Sequence, residues 1–97
     1  MKISPDMVPS QIGDLNHPGG AALYRFYDSS GSLLYVGVTG RPLERWAGHR
    51  RTAVWWKDVA SLEWDWHHDM WWALRAEREA IVTLNPLHNK RSAVASA

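Results

Sequence analysis

The stretch AALYRFYDSSGSLLYVGV, Ala21 to Val38, decides how the rest of the chain is read. Its ends, AALYRFY (21–27) and LLYVGV (33–38), are apolar, β-branched and aromatic runs of the kind that fit a pleated, half-buried surface. Between them stands DSSGS (28–32), a cluster of turn-forming residues that includes a glycine. Two strand-like runs joined by such a turn predict an antiparallel hairpin, with Tyr24 and Tyr35 on neighbouring strands.

Downstream the pattern changes period. Pro42 suits the first turn of a helix, where its missing N–H has no partner to lose. That helix is expected to run to about Val54. Leu43, Trp46, Ala47, Ala53 and Val54 form an apolar stripe at three- and four-residue steps, and Arg45, His49 and Thr52 fall on a neighbouring face. The segment SLEWDWH (61–67) alternates Leu62, Trp64 and Trp66 with Glu63, Asp65 and His67, which predicts a third, half-buried strand. From about Asp69 to Leu84 a second helix is expected, with Met70, Leu74, Ile81 and Leu84 inward and Asn85-Pro86 as its stop.

The 97 residues, 45% hydrophobic and 22% charged, suit one compact domain. Residues 1–20 hold prolines and glycines without apolar periodicity and are expected to be an arm or loop. Residues 21–90 carry the domain, and 91–97 read as a small-residue tail. The absence of cysteine excludes disulfides and thiolate zinc sites, leaving oxygen ligands or histidine to hold a metal. Ser4, Pro5, Asp6 and Pro9 break up the start, so no signal peptide or membrane span is expected and a soluble, cytoplasmic protein is. The net charge of +1 gives little overall drive toward phosphate, but its distribution is uneven. Through Lys57 there are seven basic and four acidic residues, and the remainder has four basic against six acidic. A basic half and an acidic half suit a chain that meets polyanions on one side, as well as ordinary solvated surface.

Glu77 is the anomaly. It lies three residues after Leu74 and four before Ile81, so the face that turns those side chains inward turns a carboxylate inward too. Such a group is a candidate metal ligand, or a rim carboxylate that pairs with an arginine. Tyr24 and Tyr35 taken alone are ordinary strand aromatics. Taken with Arg45, His49 and Glu77 they supply a proton acceptor, a clamp for phosphate charge and a ligand for a divalent metal. Periodicity does not show that these groups converge.

From Ala21 to Asn89 the chain resembles the GIY-YIG nuclease domain. Ala22-Leu23-Tyr24 is similar to the GIY element and Tyr35-Val36-Gly37 to the YIG element, with the tyrosines eleven residues apart. Arg45 stands ten positions after Tyr35, His49 follows one helical turn later, and Glu77, Pro86 and Asn89 fit the closing E...P..N pattern. Ala22 replaces the first glycine of the name motif, and Leu23 and Val36 replace isoleucines. His88 stands where an aromatic often precedes the terminal asparagine.

The resemblance implies an α+β fold, a small three-stranded antiparallel sheet flanked by helices. It implies a metal-dependent endonuclease that hydrolyses DNA phosphodiester bonds. Glu77 would hold Mg²⁺ or Mn²⁺, Arg45 would neutralise the scissile phosphate, Tyr24 would take the proton from attacking water once activated, and Tyr35 and His49 would orient or relay. Asn89 would tie the chain after the second helix to the site. A binding module for nucleic acid or protein that does not cut, and a subunit that acts only with a protein partner or as a homodimer, are the other readings. The pairs Trp55-Trp56 and Trp71-Trp72 are expected in core and rim packing or as stacking surfaces for unpaired bases. His67-His68 is a weaker candidate for a second metal site.

Overall fold

The computed structural model describes residues 20–89. The arm expected over 1–20, apart from Gly20, and the tail expected over 91–97 lie outside the described residues. The elements are β1 (Ala21–Tyr27), β2 (Leu33–Thr39), α1 (Pro42–Thr52), a short 3₁₀ turn (Trp56–Asp58), β3 (Ser61–His67) and α2 (Met70–Leu84). Among the described residues no helix is long and apolar enough to cross a membrane.

The strands form one antiparallel sheet in the order β2-β1-β3, so the most apolar strand is central. The turn before β2 is held by Asp28, whose Oδ1 accepts from the backbone N–H groups of Ser30 and Ser32, both at 2.9 Å. Gly31 there has a φ of 87°, a conformation that side chains resist. Register places Tyr24 between Gly37 and Trp64, and Phe26 between Tyr35 and Leu62. Residues alternate faces along a strand, so this set defines one aromatic face. Trp46 and Trp55 close over it, Trp46 at 5.8 Å and 77° to Tyr24, Trp55 at 5.7 Å from Phe26. The opposite face carries Leu23, Leu34 and Val36, all buried, and α2 packs across the three strands there.

Both helices bury a narrower face than periodicity suggests. In α1 only Pro42 and Trp46 are buried; Leu43 is exposed, and the helix ends at Thr52 with Val54 outside it and exposed. One indole is large enough to dock so short a helix. In α2 the inward residues are Ala73, Ala76, Glu77, Ala80 and Ile81, whereas Met70, Leu74 and Leu84 are exposed. Alanines let the helix come close to the sheet, and the bulky residues are rotated out to its flanks. Asp69 caps this helix by accepting from Trp72 N–H at 2.9 Å, which contributes about 0.5–2 kcal/mol. Asn85 ends it in the left-handed conformation, φ 48°, and buried Pro86 stops continuation.

The chain after α2 returns along the outer side of β2. Leu87 N–H donates to Leu33 C=O at 3.3 Å and His88 N–H to Leu34 C=O at 2.8 Å. Asn89, buried, then uses its side-chain amide as a strand would use its backbone. Its Oδ1 accepts from Val36 N–H at 2.8 Å and its Nδ2 donates to Val36 C=O at 2.9 Å.

Candidate active site

Tyr24 projects from the centre of β1 and lies across Gly37 of β2. A Cβ at position 37 would stand 2.3 Å from the Tyr24 hydroxyl and 2.4 Å from the ring carbon bearing it. Only glycine leaves room for the phenol, so Gly37 is what lets the hydroxyl reach toward the outer side of β2. The hydroxyl is 2.7 Å from Nε2 of His49, on the last turn of α1. Tyr24 is fully buried, and burial, with Tyr35 alongside, pushes its phenol well above the ordinary tyrosine range. It therefore stays protonated at neutral pH.

His49 moves the other way. Half-burial, with the Arg45 guanidinium nearby, lowers its imidazole from 6.5 to about 4, so it is neutral at pH 7. With its hydrogen on Nδ1 the neutral imidazole accepts the phenol O–H at Nε2, and with its hydrogen on Nε2 it donates to the phenol oxygen.

Arg45 stands one turn before His49 on α1, with its guanidinium against the hydroxyls of Tyr24 and Tyr35. Contact with the two phenol oxygens raises its already high pKa, so it is a permanent cation at the mouth of the site. Tyr35 is half-buried on β2, its ring 6.2 Å from Tyr24 and 4.9 Å from His49.

Glu77 comes to the same place from the other side of the sheet. Its carboxylate accepts from the backbone N–H of Val38 and lies within electrostatic reach of Arg45 and Tyr24. Partial burial raises its pKa, with Arg45 and the Val38 N–H acting against that rise. Val38 and Val36 both direct N–H groups away from β1, so Glu77 and Asn89 occupy successive positions on the outer side of β2. The structure thus brings Tyr24, Tyr35, Arg45, His49 and Glu77 together. Asn89 stands apart from them: its amide is committed to Val36, and its contribution is to fix the strand that carries Tyr35 and Gly37.

In the free chain the Tyr24 hydroxyl is buried, held by His49 and covered by Arg45. Glu77 fits the role of anchor for one hard cation, since a single carboxylate suits an ion that keeps most of its shell as water and phosphate oxygen. No group of three or more His, Asp or Glu side chains able to hold a metal occurs among the described residues. His67 ends β3 and His68 follows it, exposed and outside the strand.

Two participants were not legible as such in the sequence. Trp55 stacks on Tyr35 at 5.0 Å and 21°, and on His88 at 5.7 Å and 19°, while touching His49 at 5.3 Å. The steric need for Gly37 is the other; its place in the YVG element was visible, its reason was not. No protein-family model, curated protein or solved structure matches the chain.

Proposed function

We propose that the chain is a metal-dependent endonuclease of the GIY-YIG type, hydrolysing phosphodiester bonds in DNA. The observation that carries the reading is the meeting, at the outer side of β2, of one guanidinium, one carboxylate and a phenol hydrogen-bonded to a neutral imidazole. Three separate elements supply these groups, and general packing does not require them to meet.

Arg45 clamps the scissile phosphate. A phosphate is a stronger partner for a guanidinium than a neutral phenol, so a bound phosphate draws Arg45 off the Tyr24 hydroxyl and opens it to water. Tyr24 then accepts the proton of the attacking water as its own proton passes to Nε2 of His49. No free phenolate has to form in this step, and the His49 imidazole that receives the proton becomes more basic once Arg45 has moved to the phosphate. Tyr35 orients the water or phosphate from the half-exposed side. Glu77 would hold Mg²⁺ or Mn²⁺, which supplies charge neutralisation to the phosphate oxygens when bound.

The test is incubation of the purified chain with supercoiled plasmid and with branched and single-stranded DNA, in Mg²⁺ or Mn²⁺, beside Glu77→Ala and Tyr24→Phe. Nicking that both substitutions abolish supports the reading. Cleavage insensitive to both, or binding of DNA without cleavage under every metal condition, overturns it.

A further inference from the structure

The exposed flank of α2 next to Glu77 has no part in that chemistry, and its composition is unusual. Trp71 and Trp72 are 60% and 53% exposed, with rings 4.7 Å apart and at 81° to each other. The Arg75 guanidinium lies 5.7 Å from one ring centre and 5.8 Å from the other. Trp71, Leu74, Arg75 and Arg78 line a groove of about 600 Å³, with the carboxylates of Glu77 and Glu79 in the same wall. Arg75 and Arg78 make no ion pair among the described residues. An amphipathic helix on a small sheet has no packing need for two adjacent indoles in water.

We infer that this groove seats single-stranded DNA, the stretch of substrate beside the phosphate to be cut, with an unpaired base on Trp71 and backbone phosphates on Arg75 and Arg78. The inference rests on the nuclease reading for its direction, since Glu77 belongs both to the groove wall and to the candidate site. Indole faces beside guanidinium groups match what a strand offers once its bases are free: π surface and phosphate in alternation. A blunt duplex hides its base faces and presents phosphates alone. The substrate class is therefore DNA with unpaired nucleotides next to the scissile bond, such as a flap, a gap or a single strand.

Binding is measured by fluorescence anisotropy with the full chain in EDTA, using a labelled oligo-dT strand and a blunt duplex of equal length. The strand is expected to bind more tightly than the duplex. Trp71→Ala should weaken strand binding on the order of tenfold and leave duplex binding unchanged, and Trp71→Phe should recover most of the loss. Arg78→Ala should flatten the salt dependence of strand binding by about 0.7 in log–log slope. The inference falls if Trp71→Ala binds the strand as the wild type does, if strand and duplex bind equally, or if only an RNA strand is bound. The two readings fail separately. Strand binding that depends on Trp71, in a protein that cuts nothing, sinks the nuclease assignment alone, whereas metal-dependent cutting with binding indifferent to Trp71 sinks the groove alone.

Discussion

His49 is the residue whose titration reports the site most directly. Its folded-state value of about 4 lies below the ordinary 6.5, so the unfolded chain takes up a proton below pH 6.5 that the folded chain refuses. Stability should accordingly fall as pH drops from about 6.5 toward 4, and level off below that. Melting temperatures of wild type and His49→Gln across that range check it, since the substituted chain loses this part of the slope. Arg45 contributes to the depression, so Arg45→Ala should raise the His49 pKa, read by NMR titration of the ring carbons. An unmoved titration would separate the guanidinium from the imidazole and undo the clamp argument. In cleavage, Tyr24→Phe should cost on the order of 10²–10⁴ in kcat, with the acid limb of the pH profile following His49. The sequence displayed the members of this site but not their coupling. Residue types offered Tyr24, Tyr35, Arg45, His49 and Glu77 as candidates, and the resemblance to a known domain is what joined them into one site. That one tyrosine is sealed and the other half-open depends on which residue faces Gly37, a matter of register that no local pattern encodes.

At the level of elements, the strands follow from alternation because a sheet sorts side chains by parity, and parity is written in the sequence. β1 and β3 fall where the patterns end, and Asp28, Ser30 and Gly31 make the turn between β1 and β2 for the reasons their chemistry gives. Helices sort by rotation, and in α2 the rotation departs from the apolar pattern. Met70, Leu74 and Leu84 have the stronger apolar signal, but Ala73, Ala76 and Ala80 take the inward face because only small residues let Glu77 come near enough to reach Val38. The carboxylate points inward as expected, for a different set of neighbours. Gly37→Ala tests the strand crossing beneath Tyr24. Its Cβ has no space, so cleavage should be lost and the melting temperature lowered even though alanine fits a strand's backbone. Asn89→Ala leaves the Val36 N–H and C=O without their partners and should cost about 1–3 kcal/mol in denaturant unfolding.

Over the whole molecule, the two faces of the sheet divide the work. The aromatic face holds the phenols and receives α1, whose last turn carries His49, Arg50 and Arg51, while α2 backs the sheet and passes Glu77 around its border. Arg50 and Arg51 are exposed and lie just beyond the site, on the basic half of the chain. Replacing both by alanine should reduce the slope of log affinity for duplex DNA against log salt by about 0.9 for each phosphate no longer neutralised, with little change in melting temperature. The uneven charge was legible from the sequence, but its placement beside the phenols came only with the hairpin and α1 in three dimensions. The return of residues 87–89 along β2 has one more effect. A three-stranded sheet has two open borders, and each is a template on which another chain can add a strand. Leu87, His88 and Asn89 occupy most of one, with a carboxylate occupying the next position. A chain cut after Leu84 would keep every group of the site except its cover. It should then self-associate by strand addition rather than simply lose activity.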